Sequence, residues 1–94
     1  MRFDWTPRKS EWNQRERGFD FEVASRIFAD VNVLDVKGRI ENGEQQWQAI
    51  GPVPGLGIIL VVYVVREDEK GEYIHIISAR FATKREKARY YQKD

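Results

Sequence analysis

The chain has 94 residues, which is enough for one domain with a modest core and too short for two. With 41% hydrophobic residues, 33% charged residues and a net charge of +1, it has the composition of an ordinary globular protein, which argues against disorder and against a general nucleic-acid coat. It has no cysteine and one histidine, so a disulfide framework and a thiolate nucleophile are excluded and a histidine-based zinc site is not expected.

The N-terminal third predicts a short edge strand at residues 2–5 and then two helices. A helix over about residues 7–17 begins with a proline, which fits a first helical turn, and ends at Gly18, which can adopt the left-handed conformation of a C-cap. Asp20 is a good N-cap for a second helix with apolar residues at helical spacing. We expect Trp12 to pack against this second helix, giving a helix pair.

The middle of the chain predicts antiparallel strands. Residues 45–51 alternate, so Trp47 and Ala49 share one face of their strand, while the continuous apolar run at 58–65 predicts a central strand covered on both faces. We expect strands near 32–37, 45–51, 58–65 and 73–80, with a polar turn at 38–43 that carries Arg39 and a charged hairpin loop at 66–72.

The last predicted strand carries the single histidine. Strict alternation puts one set of side chains on one face, namely Ile74, Ile76, Ser78 and Arg80, and the other set opposite, namely Tyr73, His75, Ile77 and Ala79. Ser78 and His75 then face opposite ways, so a serine nucleophile activated by this histidine is not expected. On this interpretation His75 is a partly buried structural residue.

A basic helix follows the last strand. Thr83 and Glu86 have capping-box spacing, which predicts the start of the helix and explains Glu86 without any catalysis. Residues 80–94, including Lys93 and Asp94, carry six cations against two anions, a net charge of +4. This segment suits a phosphate-rich ligand, although a solvated helix face explains it equally well.

These elements predict a single α+β domain over residues 1–94. Its two layers would be an N-terminal helix pair and a C-terminal helix packed with a mostly antiparallel sheet of four or five strands. The N-terminus lacks the apolar segment of a secretory signal, and the run at 58–65 is far shorter than the ~20 residues that span a bilayer. A cytoplasmic location without membrane association is therefore the expectation.

The residue inventory favours chemistry on an RNA phosphodiester, because RNA supplies its own 2′-hydroxyl nucleophile and no metal is required. An enzyme then needs a base, an acid and cations for the phosphorane charge. Candidate cations are Arg39, Arg80, Lys84 and Arg85. Glu44 is a candidate base, with a solvated strand end as the alternative, and Tyr90 or Tyr91 is a candidate acid or stacking group.

Residues along nearly the whole chain resemble the BrnT-like ribonuclease toxins of bacterial toxin–antitoxin systems. The strongest block runs from Ile76 to Arg80 and continues with Ala82, Glu86 and Tyr90, which matches the signature ISAR-x-A-x-x-x-E-x-x-x-Y. Further matches are Phe3, Trp5, Lys9, Asn13, Gly18, Phe21, Glu22, Ala24, Phe28, Asp30, Arg39, Gly43, Glu44, Gly51, Val62 and Tyr63.

The resemblance implies a RelE-like fold and metal-independent cleavage of RNA. It also implies neutralisation by a BrnA-like antitoxin with a ribbon-helix-helix DNA-binding domain, in a hetero-oligomer that represses its own operon, so that operator DNA is contacted only through the antitoxin. Carried over by position, the catalytic candidates are Arg39, Glu44, Arg80 and Tyr90. The RNA-binding candidates are Arg17, Lys84, Arg85 and Arg89, and no metal ligand or cofactor is expected.

The chain departs from the family pattern at three places. Glu16-Arg17 stands where the family usually has Lys-His, Gln46 where it usually has arginine, and Thr6 where it usually has aspartate. These changes remove a titratable group and positive charge from the expected substrate cleft. The alternative interpretation is therefore a catalytically weakened member that binds the antitoxin or RNA.

Overall fold

Residues 1–92, which a computed structural model describes, form five strands and three helices. The strands are β1 (Arg2–Trp5), β2 (Leu34–Glu41), β3 (Glu44–Val53), β4 (Gly57–Asp68) and β5 (Gly71–Phe81). The helices are α1 (Pro7–Arg17), α2 (Phe21–Ser25), which runs into a 3₁₀ turn at Arg26–Ala29, and α3 (Lys84–Gln92). Lys93 and Asp94, counted above with the basic segment, lie outside the described residues.

All five strands belong to one mixed sheet with the order β1-β5-β4-β3-β2. β1 pairs with β5 in parallel, and the other neighbours are antiparallel. The apolar strand β4 is central, as its continuous hydrophobic run predicts. The α+β class with a mostly antiparallel sheet is therefore confirmed. Among the described residues no helix has the length and apolar character needed to cross a membrane.

Helices cover both faces of the sheet, so the predicted two-layer arrangement is wrong. Alternate residues of β4 belong to different apolar clusters. Ile59 and Val61 join the larger cluster with Phe21 of α2, whereas Leu60 joins a smaller cluster with Tyr90 of α3. Because successive side chains of a strand point to opposite faces, α3 lies on the face opposite α1 and α2.

The N-terminal helices differ from the predicted pair. Gly18 is left-handed at the end of α1, with φ of 90°, and Asp20 caps α2 by accepting a hydrogen bond from the Val23 N–H. However, α2 is a short helix extended only by a 3₁₀ turn. Trp12 is 45% exposed, and the Arg17 guanidinium lies over its ring, 5.0 Å from the ring centroid, so the predicted packing of Trp12 against α2 stays a prediction.

The hairpins are tighter than predicted, which moves two arginines from loops into strands. Asn42 and Gly43 both have positive φ, 52° and 78°, as a two-residue hairpin turn requires. β2 therefore extends to Glu41 and contains Arg39, which was expected in a turn. In the same way β4 extends to Asp68 and contains Arg66.

Two β-bulges, one in β5 and one in β2, change the face of the sheet towards which the following side chains point. In β5 the pairing passes from Val62 opposite Ser78 to Tyr63 opposite Ile76, which leaves Ile77 as an extra residue. Ser78 therefore lies on the same face as His75, and the predicted strict alternation of this strand is wrong. The second bulge lies in β2 between Lys37 and Ile40 and carries Arg39.

Candidate functional site

The sheet face on the α3 side is only partly covered by that helix, and we call the uncovered part the open face. Residues paired across neighbouring strands point to the same side, which identifies its members from the register. Asp4 pairs with His75, which pairs with Val64, and Tyr73 pairs with Arg66. The open face consists of Asp4, Arg39, Glu44, Gln46, Gln48, Val62, Arg66, Tyr73, His75, Ser78 and Arg80, with the buried Val64 among them.

An open cavity of about 510 Å³ lies in the open face between the two bulges. The β2 bulge supplies one wall, and the β5 bulge supplies the other. Its lining residues are Gly38, Arg39, Glu41, Gln46, Gln48, Val62, Ile77 and Ser78. A Cβ on Gly38 would lie 3.1 Å from the Gln46 carbonyl oxygen, so glycine permits the close approach of β2 to β3 at this wall.

Arg39 is the cation on this cavity. Its guanidinium Nη2 lies 2.8 Å from a Glu41 carboxylate oxygen, and its side chain is 76% exposed. An exposed ion pair of this kind contributes little to stability, because water screens it. The guanidinium is therefore available to an anionic ligand at small cost.

Glu44, the predicted base, is held by Arg66. The Nε and Nη2 of Arg66 donate to the two carboxylate oxygens of Glu44, each at 2.9 Å. These hydrogen bonds lower the pKa of Glu44, and the positive charge of Arg66 lowers it further. Because a lower pKa makes a carboxylate a weaker base, the pairing favours Glu44 as an anchor for the guanidinium over Glu44 as a proton acceptor.

Arg80, at the end of β5, forms a bidentate pair with Glu86 of α3. Its Nη1 and Nη2 donate to the two carboxylate oxygens at 2.8 Å and 2.9 Å. The same carboxylate accepts from the Thr83 N–H, and the Glu86 N–H donates to the Thr83 hydroxyl, so the predicted capping box is present. The arginine and these backbone contacts lower the pKa of Glu86 to about 2.

Tyr90 joins α3 to the end of the 3₁₀ turn. Its hydroxyl donates to an Asp30 carboxylate oxygen at 2.5 Å, and its ring packs in the smaller apolar cluster. The hydrogen bond, together with burial and the carboxylate charge, raises the pKa of Tyr90 to about 12. A phenol held in this way is a poor proton donor near neutral pH.

The predicted RNA-binding residues fall into two groups. Arg17 donates to the Ala79 carbonyl oxygen at 2.8 Å and so contacts the part of β5 beyond the end of β1. The other three, Lys84, Arg85 and Arg89, are exposed on α3.

The four predicted catalytic residues share one side of the sheet but do not meet. Arg39 and Arg80 lie three strands apart, roughly 14 Å at the usual spacing, and about four residues apart along the strands, roughly 13 Å. Each is also bound to a different carboxylate, Glu41 or Glu86. The two arginines therefore mark opposite ends of the open face.

The structure adds residues that sequence reasoning missed. The sequence predicts Arg66 in a loop, but it lies in β4 because the β4–β5 hairpin turns within Glu69 and Lys70. The sequence analysis interprets His75 as a partly buried structural residue. Its Nδ1 lies 3.2 Å from Asp4 Oδ1, a contact created by the parallel pairing of β1 with β5. Within residues 1–92, no three His, Cys, Asp or Glu side chains are grouped as metal ligands would be.

Comparisons with known proteins agree on one family. Residues 5–86 match the family model described as ribonuclease toxin, BrnT, of type II toxin-antitoxin system. The fold is similar to the crystal structure of the Brucella abortus ribonuclease toxin BrnT, with a TM-score of 0.66 and 25% sequence identity over 89% of this chain and 99% of that one. A comparison with curated proteins gave no match.

Proposed function

Because this chain belongs to the BrnT family of ribonuclease toxins of type II toxin–antitoxin systems, we propose that it is an endoribonuclease that cleaves RNA on the open face. The 2′-oxygen of the RNA attacks the adjacent phosphorus, the bond to the 5′-oxygen breaks, and a 2′,3′-cyclic phosphate remains. The reaction needs no metal, because RNA carries the nucleophile and fixed cations stabilise the phosphorane charge.

The observation that carries this proposal is the position of two arginines on the open face. Arg39 borders the cavity, and Arg66 lies on the same face, where Glu44 fixes the orientation of its guanidinium. A guanidinium binds phosphate oxygens in two parallel hydrogen bonds, so a carboxylate partner that keeps it in place prepares it for this ligand. We assign the scissile phosphate to Arg39 and Arg66.

In this proposal, the predicted residues near α3 bind the nucleotides on either side of the scissile phosphate. Arg80 and the exposed Lys84, Arg85 and Arg89 bind the RNA backbone, and Arg17 supports the neighbouring part of β5. Tyr90 holds α3 in position through Asp30. The roles of Arg80, Glu44 and Tyr90 in the chemical step stay predictions, and their hydrogen bonds favour positioning roles.

The test is cleavage of a mixed-sequence single-stranded RNA by the purified chain in excess chelator. We expect cyclic-phosphate ends, and a loss of about 100-fold in kcat/KM for Arg39→Ala, the magnitude typical of removing one transition-state donor. Arg26→Ala is the matched control, since Arg26 is an exposed arginine outside the open face. Intact RNA with the unmodified chain, or equal losses in both variants, would contradict the proposal.

The partner in this proposal is a BrnA-like antitoxin with a ribbon-helix-helix domain, which forms a hetero-oligomer with the toxin in the cytoplasm. The support is membership of a type II toxin–antitoxin family together with the sequence resemblance. Co-expression with the product of the adjacent gene should yield a stable complex that binds operator DNA. The toxin alone should leave that DNA unbound, so operator binding by the isolated chain would count against this arrangement.

A second candidate function is binding without cleavage. The observation that favours it is the identity of two residues that depart from the family pattern. Gln46 lines the cavity where the resemblance expects an arginine, and Arg17 donates to a backbone carbonyl instead of facing the cavity. A weakened member would be harmless when expressed without antitoxin and would still bind the antitoxin. Growth arrest on expression would exclude this alternative.

A further inference from the structure

The single histidine occupies a position on the open face that the predicted catalytic set does not use. His75 lies in β5 between the cavity walls at Ile77 and Ser78 and a second cavity of about 340 Å³ that Asp4 and Tyr73 help to line. Its side chain is 16% exposed, so it is partly enclosed and still reachable. The bulge at Ile77 puts it on the same face as Ser78.

Asp4 fixes the protonation pattern of this ring. The parallel register pairs Asp4 with His75, and Asp4 Oδ1 lies 3.2 Å from Nδ1. An ionised carboxylate only accepts hydrogen bonds, so the Nδ1 of a neutral ring carries the proton and the Nε2 carries the lone pair. Among the described residues, no side chain forms a hydrogen bond with Nε2. None of their side-chain nitrogen or oxygen atoms is both buried and without a hydrogen-bond partner, so Nε2 is not fully buried. Its lone pair is therefore accessible from solvent.

The groups around the ring have mixed charge. Asp4 of β1 is the nearest anion, Arg66 of β4 and Glu44 of β3 form their ion pair on the same face, and Tyr73 of β5 lies two residues away. The close carboxylate stabilises an imidazolium once it forms, while Arg66 presents a cation to any phosphate beside the ring. Together these residues provide a proton acceptor on the same face as the arginines that we assign to the scissile phosphate.

We propose that His75 is the general base of the cleavage reaction and that Asp4 is its positioning residue. This inference rests on the proposed ribonuclease function and deepens it. His75 Nε2 takes the proton of the RNA 2′-hydroxyl as the 2′-oxygen bonds to phosphorus. The bond from phosphorus to the 5′-oxygen breaks, and the departing oxygen takes a proton from water. The imidazolium then returns its proton to the hydroxide, so the enzyme is unchanged after one cycle.

The other titratable candidates fit this step less well. The lowered pKa of Glu44 weakens it as a base, and its two carboxylate oxygens are occupied by Arg66. The Tyr90 hydroxyl donates a hydrogen bond to Asp30, and its ring packs from α3 onto the smaller apolar cluster. His75 combines an accessible lone pair with a carboxylate on its other nitrogen, which is the arrangement that orients a histidine base in hydrolases.

The experiment measures kcat/KM against pH in excess chelator, with the same mixed-sequence RNA and the full chain. The unmodified enzyme should lose activity as the pH falls, because a protonated imidazole cannot accept the 2′-hydroxyl proton. His75→Gln should lower kcat/KM by about 100-fold or more and abolish that acid limb. Asp4→Asn should give a smaller loss and shift the limb. Added imidazole should partly restore activity to His75→Ala.

Glu11→Gln is the matched control, because Glu11 is an exposed carboxylate of α1, on the side of the sheet opposite the open face. Thermal unfolding of each variant separates lost folding from lost chemistry, and the imidazole rescue keeps the test decisive if His75→Gln is destabilised. If the unmodified chain cleaves RNA and His75→Gln retains both its rate and its acid limb, the histidine assignment is overturned while the ribonuclease function stands. An unmodified chain that leaves RNA intact overturns the function itself.

Discussion

Tyr90 shows how one hydroxyl can be structural although its position suggests chemistry. Its hydrogen bond to Asp30 connects α3 with the chain that leaves the 3₁₀ turn, 60 residues earlier in the sequence. The raised pKa of about 12 reflects this contact first and burial second. The hydrogen-bonded Tyr90 hydroxyl therefore stabilises the position of α3, and its raised pKa makes it a poor proton donor.

We therefore expect Tyr90→Phe to lower the free energy of unfolding by about 1 kcal/mol, the usual net value of one hydrogen bond, because Asp30 loses its donor. Cleavage should stay within a few-fold of the unmodified chain. Chemical denaturation and the RNA assay measure the two effects, and Tyr91→Phe is the control because Tyr91 is 72% exposed. Normal stability with abolished cleavage would instead identify Tyr90 as the acid.

At the scale of elements, the two bulges determine the site. In each bulge, one strand has an extra residue relative to the strand that it pairs with. Each bulge also forms a wall of the cavity. Without the bulge at Ile77, Ser78 and Arg80 would point towards α1 and α2, where the larger core is packed. The bulge thus brings Arg80 to the α3 side, where Glu86 pairs with it.

Helix α3 depends on Glu86, which both caps the helix and pairs with Arg80. Its pKa is about 2 in the folded chain against 4.5 for the free side chain, so its charged form is favoured by folding. A group with a lowered folded pKa contributes stability that is fully present above the unfolded value. This contribution is lost as the pH falls through the interval between the two values.

The free energy of unfolding should therefore fall as the pH drops from about 4.5 towards 2. This fall should be larger in the unmodified chain than in Glu86→Gln, by on the order of 1 kcal/mol. Urea denaturation across this range measures the difference, and Glu69→Gln, at an exposed carboxylate in the β4–β5 turn, is the control. Parallel pH curves for the unmodified chain and Glu86→Gln would show that the pair does not stabilise α3.

The whole molecule carries a net charge of only +1, yet its charges are separated in space. Exposed cations concentrate on α3, whereas the tip of the β4–β5 hairpin exposes acidic residues, namely Glu67, Asp68, Glu69 and Glu72. A polyanion therefore meets attraction at one end of the sheet and repulsion at the other. Under the proposed function, this separation gives the RNA a preferred orientation on the open face.

Binding of a 2′-O-methylated RNA, which lacks the nucleophile, should weaken with salt because bound cations release counterions. Each phosphate contact contributes about −0.7 to the slope of log K against log salt for a single strand. Arg85→Ala on α3 should reduce that slope by roughly 0.7, while Lys70→Ala on the acidic hairpin should leave it unchanged. Fluorescence anisotropy at several salt concentrations gives both slopes, and equal effects of the two variants would contradict an α3 binding site.

The sequence by itself determined the features that depend on neighbouring residues. These are the start of α1, the glycine that ends it, the Asp20 cap, the Thr83 and Glu86 capping box, and the apolar run that makes β4 the central strand. Such signals act within a few residues, since caps and side-chain periods are set by local backbone geometry. The family resemblance also follows from residue types in order, without coordinates.

Only the tertiary structure decided which side chains share a face. The extra residue at Ile77 reverses the facing of all later positions in β5, and whether a bulge forms depends on pairing with β4. The contact between Asp4 and His75 joins residues 71 positions apart and exists because β1 pairs with β5 in parallel. Pairings between distant segments follow from how the whole core packs, so the open face and its histidine became visible only in three dimensions.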